Sequence, residues 1–482
     1  MAFPADLSPR AVWAHFSRIC AIPHGSGNTA ALADYIEDFA STRNIPCRRD
    51  AAGNLLLKKP ASSGYETHRE VILQGHIDMV AVKAPDCPLD LERDGLLTDV
   101  ADGWAFAHGT SLGGDNGIAV AMALAVLEDG TLSHPPLTVL LTNDEEIGML
   151  GATAVDLSDV TARRLLNMDS EEEGVLTVSC AGGLCAMATL PLEREEKSGL
   201  RLTLTLKDLA GGHSGVEIHK GRGNAVKLLT AVLRQCMAQT PAALVELTGG
   251  AKDNAIPTDA TAQLLIEPAQ LPTWQTLCKA LECELRERYA STDPHLTLTF
   301  ICKMDTVAEK VLTADCAARL LALAGDTPDG VIARSRFDPS LVQTSLNLGV
   351  IAASGDTATV TWSVRSSVSA ERDALRAQLA QAATAAGARC TVSGEYEAWE
   401  YREESPLRDT LAATFEELFG RKPQVQGIHA GLECGPLCGK LTGLDAVSFG
   451  PDMEAVHTTG ERLSIASVER TWTFLVTALA RL

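Results

Sequence analysis

Residues 137–148 read LTVLLTNDEEIG, an apolar run that stops abruptly at three consecutive acids. Leu137–Thr142 contains neither Gly nor Pro and predicts a strand buried on both faces. Asp144, Glu145 and Glu146 then fall at its carboxyl end, where like charges held together call for a cation or for protons. The same pattern recurs along the chain. Val71–Gln74 (VILQ) precedes His76 and Asp78, Leu165–Met168 (LLNM) precedes Asp169, and Ala446–Phe449 (AVSF) lies shortly before His457. Asn54–Lys59 (NLLLKK) reads as a further strand. Residues 9–20, 28–42, 406–420 and a last segment from Ser464 read as helices, with Ser26 or Asn28, Ser405 and Ser464 as N-caps. Short buried strands separated by helices predict an α/β fold, a mixed and mostly parallel sheet flanked by helices. Ligands of such sheets gather at the carboxyl ends of the strands, where these acids and histidines stand.

Around residues 187–198 the charge density rises and the pattern changes. Arg201–Lys207 (RLTLTLK), His295–Phe300 (HLTLTF) and Thr357–Arg365 (TATVTWSVR) alternate with period two, as half-exposed antiparallel strands do. Helical stretches at 221–238, 273–289 and 369–386 lie among them. Residues 188–398 are therefore expected to form an inserted α+β domain, and residues 1–187 with 399–482 to form the first domain.

Length and composition agree with two domains: 482 residues, 46% apolar and 21% charged. The formal charge is 41 − 62 = −21, which argues against a nucleic-acid or anionic-membrane partner. No apolar run reaches the ~18 residues of a membrane span. The N-terminus lacks the layout of a signal peptide, so a cytoplasmic location is expected. Thirteen cysteines, scattered without a repeating interval, read as free thiols.

Five segments carry candidate metal ligands. His76 and Asp78 are two apart and so share one side of an extended strand, as a ligand and the acid that orients it would. Asp115, in GTSLGGDNG, stands between a Gly-rich loop and an apolar helix; no GK[ST] follows, so this is not a phosphate loop. Glu145 with Glu146, Asp169, and His457 complete the set. Mixed imidazole and carboxylate ligands suit Zn²⁺, Mn²⁺ or Co²⁺ better than Ca²⁺. Five ligands of which one carboxylate is shared would fit two ions.

The ordered motifs HxD, GGDN, DEEIG, NMDSEEEG and a late GP…H resemble the M20 family of co-catalytic zinc peptidases, and within it the bacterial dipeptidases that act on Xaa-His. The resemblance covers nearly the whole chain. It implies a zinc-peptidase-like catalytic domain with an inserted lid that also dimerises the protein. It implies that His76, Asp115, Glu146, Asp169 and His457 bind two divalent ions, most suitably zinc. Asp115 would bridge them, His76 and Asp169 would complete one site, and Glu146 and His457 the other. Glu145 would be the general base, Asp78 would orient His76, and the Asp115–Asn116 peptide would be cis. The activity implied is hydrolysis of dipeptides, carnosine-like Xaa-His and other short unblocked peptides, by a hydroxide shared between the ions.

In the insert, the resemblance assigns His213 of GGHSG to the reacting carbonyl, Asn254 of DNAIP to substrate contact and Arg365 of SVRSS to a substrate carboxylate. The position two before Arg365, commonly acidic in the family, is Ser363 here. Gly431 and Glu433 of HAGLECG occupy the place of a Gly-rich substrate loop. Other activities of the family, namely aminotripeptidase, carboxypeptidase or N-acyl amino-acid deacylase, would share the catalytic core. A non-catalytic metal- or peptide-binding relative would not need Glu145.

Overall fold

A computed structural model describes residues 3–482. The chain divides into two units, one of residues 1–180, 399–428 and 432–482, the other of residues 181–398 with 429–431. The sequence reading drew its line at 187, inside what is a single strand, Gly182–Pro191.

The first unit is built on an eight-stranded sheet. Its strands lie in the order Cys47–Arg49, Leu55–Lys59, Leu137–Thr142, Val71–His76, Arg164–Asn167, Asp445–Ser448, Val175–Cys180, Gln424–Ile428. The central pairings are parallel, and three others are antiparallel. Every residue of Val71–His76, Leu137–Thr142, Val175–Cys180 and Asp445–Ser448 is buried. Alternation along the strands explains why. Leu55, Leu57, Val71, Leu73, Val139 and Leu141 enter a core shared with helices Arg10–Cys20, Ala30–Thr42, Gly114–Glu128, Pro406–Phe419 and Ile465–Leu479. Leu56, Ile72, Leu140 and Leu165 face the other way, onto Leu150–Ala154 and Cys434–Lys440. A sheet covered on both faces must be apolar throughout, and its polar groups emerge only at strand ends.

A four-stranded sheet of the same unit joins Met453–Glu454, Arg462–Ser464, Trp104–Ala107 and Thr98–Ala101 in that order. It pins both ends of the loop that carries His457.

The predicted caps Ser405 and Ser464 each accept a hydrogen bond from a backbone N–H of the helix they precede. Ser26 and Asn28 do not cap the second helix, which begins at Ala30 after Thr29. The Ser26 hydroxyl instead donates to Asp78, and the Thr29 hydroxyl to Asn143.

The second unit holds a nine-stranded antiparallel sheet. Leu200, Leu202, Leu204 and Leu206 of Arg194–Lys207 pack on helices Ala225–Gln239, Leu271–Arg288, Ala314–Asp326 and Ser369–Ala385, with Trp362 in the same core. The alternate residues of these strands face away from the helices, which accounts for the period-two pattern. Among the described residues no helix is long and apolar enough to cross a membrane, and all thirteen cysteines are free.

Candidate metal centre

Strand ends and two loops of the first unit bring the five candidate ligands together. His76 is the last residue of its strand. Its Nδ1 lies 3.0 Å from the Asp78 main-chain oxygen and 3.4 Å from the Asp78 carboxylate. That leaves Nε2 to face Asp115 Oδ1 at 3.1 Å and Asp169 Oδ1 at 3.5 Å. Across the cluster His457 Nε2 lies 3.1 Å from Asp115 Oδ2 and 2.9 Å from Glu146 Oε1. Each oxygen of Asp115 therefore faces a different imidazole.

The mounting explains the convergence. Asp115 follows a tight turn at Gly113 (φ 68) and is not yet helical, and its peptide bond to Asn116 is cis. The Asn116 side chain accepts from the His76 N–H at 3.3 Å and donates to the Met168 carbonyl at 3.0 Å, which ties together the two strand ends bearing His76 and Asp169. The N–H groups of Glu145 and Glu146 both donate to the Asp78 carboxylate, at 2.9 and 3.3 Å. Asp78 thus holds the acidic loop as well as His76. Only glycine fits just before His76: a Cβ at Gly75 would lie 2.4 Å from Asn116 Oδ1.

The electrostatics describe a cluster that lacks positive charge. Burial pushes the Glu145 carboxyl up to about 9; the carboxylates of Asp169, Glu433 and Glu146 add to this while His76 opposes it. Hydrogen bonding to Asp115 and Glu146 raises His457 to about 10. Burial works against Asp115 as an anion, yet the imidazoles of His457 and His76 hold it well below the usual carboxylate range. Protons are thus retained where cations are wanted. Among the described residues, His76, Asp115 and Glu146 offer ligand atoms all within 4.8 Å of one another. Nitrogen and carboxylate donors, one carboxylate with both oxygens engaged, and a surplus of negative charge fit divalent transition ions. The Glu145 side chain makes no hydrogen bond or ion pair among the described residues, although it neighbours Glu146.

Glu433, which the resemblance placed on a substrate loop, is fully buried. Its Oε2 accepts from Thr142 and from Gln74, each at 2.5 Å, and its Oε1 has no partner. Burial raises it to about 7. It therefore forms part of the wall behind His76. Gln74, Thr142 and Asn167 complete this buried layer. Sequence reading missed the layer because polar residues inside apolar strands look like ordinary strand residues.

The remaining candidates lie in the second unit. His213 and Ala255 are paired across two short strands, and the Ser214 N–H donates to the Asn254 carbonyl at 2.8 Å. His213 Nδ1 accepts from the N–H groups of Gly215 and Val216, both at 3.2 Å. The proton of the neutral ring is then on Nε2. Arg365 stands beside this loop, since a Cβ on Gly215 would lie 3.0 Å from the His213 ring and 3.2 Å from the Arg365 guanidinium. Arg365 Nη1 donates to the Tyr396 hydroxyl at 3.1 Å, its buried Nε has no partner, and it has no carboxylate partner among the described residues. Ser345, paired with Arg365 across neighbouring strands, lies 2.7 Å from His429 Nε2. His429, two residues before Gly431, was not singled out from the sequence. Its neighbour Arg365 is 64 residues away in the chain by number, so no local signal could have found the pair. Gly431 lies in the loop between Gln424–Ile428 and Cys434–Lys440.

The sequence profile of Peptidase family M20/M25/M40 matches residues 72–481. The cytosol non-specific dipeptidase of Escherichia coli (strain K12) is 37% identical over 479 residues, covering 98% of each chain. The crystal structure of aminoacylhistidine dipeptidase from Vibrio alginolyticus superposes with a TM-score of 0.93 at 36% identity, covering 99% of this chain and 98% of that one. An aminopeptidase from Bacillus cereus, 15% identical with 98% of each chain covered, shares the fold at a TM-score of 0.56.

Proposed function

The chain belongs to peptidase family M20/M25/M40, and from that premise we propose that it is a metal-dependent dipeptidase acting on Xaa-His and other short unblocked peptides. The observation that carries this reading is Asp115 facing His76 with one oxygen and His457 with the other, with the uncommitted Glu145 beside Glu146. In it, His76, Asp169 and Asp115 hold one divalent ion, and Glu146, His457 and Asp115 hold a second. Zinc suits this ligand set best, and manganese or cobalt could replace it. Such ions supply Lewis acidity, making a water acidic and polarising the scissile carbonyl.

The protein's own groups do the rest. Positive charge restored beside Glu145 favours its ionised form. Glu145 then takes a proton from the attacking water and returns it to the leaving amine. Asp78 keeps His76 in the tautomer that presents Nε2, and its two bonds from the Glu145 and Glu146 N–H groups hold the base in place. His213, with Nε2–H free to donate, suits the developing oxyanion. Arg365 suits a terminal carboxylate, with Asn254 and the Gly431 loop lining the same substrate. We place the protein in the cytoplasm, as a homodimer formed through the second unit.

A hydrolysis panel of β-Ala-His, an unblocked dipeptide without His, a tripeptide and an N-acetyl amino acid tests this reading. Cleavage of the two dipeptides, lost with a chelator and regained with Zn²⁺, is expected. Preference for the tripeptide or the N-acetyl compound would overturn it.

A further inference from the structure

The helix that presents Asp115 begins at Gly114 with no local side chain to cap it. Its first N–H groups are nevertheless satisfied from far along the chain. Glu461 Oε2 accepts from Leu112 at 2.8 Å and Gly113 at 3.1 Å, and Oε1 accepts from Gly114 at 2.8 Å and Asp115 at 3.4 Å. Glu461 is 3% exposed. An anion receiving several N–H groups at a helix start is held by strong, charge-assisted bonds. The other end of the same residue closes a different turn: the Glu461 N–H donates to the Thr458 carbonyl at 3.2 Å, just after His457, whose backbone is left-handed (φ 65). One residue thus fastens the Asp115 loop to the His457 turn.

We propose that Glu461 is a positioning residue that holds His457 in register with Asp115, and so builds the compartment shared by His457, Glu146 and Asp115 rather than the one shared by His76 and Asp169. The asymmetry follows from the mountings. His76 and Asp169 stand at the ends of adjacent buried strands and are tied together by Asn116. His457 stands on a loop with its side chain 47% exposed; the loop is held at its ends by the short hairpin Met453–Glu454 with Arg462–Ser464, within itself by the Thr458 hydroxyl on the Ala455 carbonyl, and to the Asp115 turn by the Glu461 bonds. The inference rests on the two-ion reading of the centre and adds a residue that touches neither ion.

Zn²⁺ titration of chelator-stripped protein, followed by calorimetry against a competing chelator and by metal analysis, tests it. Wild type is expected to take up two ions. Glu461→Gln puts an amide NH₂ against two backbone donors, and Glu461→Asp withdraws the carboxylate by one methylene. Both variants are expected to keep one ion at the wild-type affinity and to bind the second about 10- to 100-fold more weakly, with Glu461→Asp the milder and the one to read if Glu461→Gln does not fold. Two ions bound at wild-type affinity in either folded variant would overturn the proposal. Equal weakening of both ions in step with a lowered melting temperature would overturn it too, because that is a general loss of fold. If wild type itself binds no ion, the reading of the centre fails instead.

Discussion

The acidic cluster of the first unit and the polar cluster of the second are both built from buried and half-buried polar groups, but the first carries excess carboxylate and the second a guanidinium. In the first, Asp115, Glu145, Glu146 and Asp169 crowd two imidazoles, and protons are held where metal ions would be. In the second, among the described residues, Arg365 has no carboxylate partner and His429 Nδ1, Ser214 Oγ and Asn347 Oδ1 lack hydrogen-bond partners, while burial with the nearby Arg365 pushes His429 down to about 3. Buried polar groups left unpaired are costly, and the cost is removed only when a ligand of the right charge arrives. In the proposed reading the first cluster takes cations and the second an anion such as a free carboxylate.

Removing metal should break the contrast most sharply. A chelator is expected to abolish hydrolysis, with Zn²⁺ restoring it; full activity in metal-stripped protein would show that the acidic cluster needs no cation. Next in size is Glu145→Ala, expected to lower kcat by about 10²- to 10⁴-fold with metal content unchanged by elemental analysis. Loss of metal in this variant would mean that Glu145 and Glu146 have exchanged roles. Arg365→Ala tests the second cluster: kcat/KM for a free dipeptide should fall by about 30-fold or more, corresponding to about 2 kcal/mol. A C-terminally amidated dipeptide should be a poor substrate for wild type and should not fall further in the variant. Equal cleavage of free and amidated peptides by wild type would remove the anion from the comparison.

The smallest effects are in stability, and the two clusters should respond to pH in opposite directions. Glu145, Glu433 and His457 all have raised values, about 9, about 7 and about 10 in the metal-free fold. Such groups favour folding fully below their unfolded values, and that contribution is lost as pH rises through the folded ones. Metal-free protein should therefore melt lower at pH 9 than at pH 6, on the order of 5 °C, and Zn²⁺ should remove the difference. His429 is depressed, so its contribution is present above about 6.5 and is lost as pH falls toward about 3. His429→Gln should remove that acid sensitivity, up to about 1.4 kcal/mol per pH unit in chemical denaturation.

The first cluster was far easier to read from the sequence than the second. In a sheet buried on both faces any charged residue at a strand end is conspicuous, so His76, Glu145, Glu146 and Asp169 announce themselves by the break in apolarity. Asp115 and His457 needed family resemblance, because a Gly-rich turn and a loop histidine have many ordinary uses. Glu461, four residues after His457, carries no local sign of its bonds to a loop 346 residues earlier. The small sheet that carries His457 was invisible for a similar reason: strands of two to four residues are too short to show a period. Ser26 and Asn28 mislead in the opposite way. They look like helix caps, but their side chains are drawn to Asp78 and to the Glu92 carbonyl by contacts no sequence window contains.

Strand Asp445–Ser448 lies in the interior of the first unit's sheet, between Arg164–Asn167 and Val175–Cys180. During synthesis, therefore, the amino-terminal 180 residues emerge from the ribosome with an open slot in their sheet. The strands and helices of the second unit, all between residues 182 and 396, are complete before that slot can be filled. The inserted unit can close its sheet first, while the earlier-made segments wait for the carboxyl-terminal strand and for His457 just beyond it. Nascent chains halted near residue 400 should accordingly carry a protease-resistant insert on a protease-sensitive amino-terminal half.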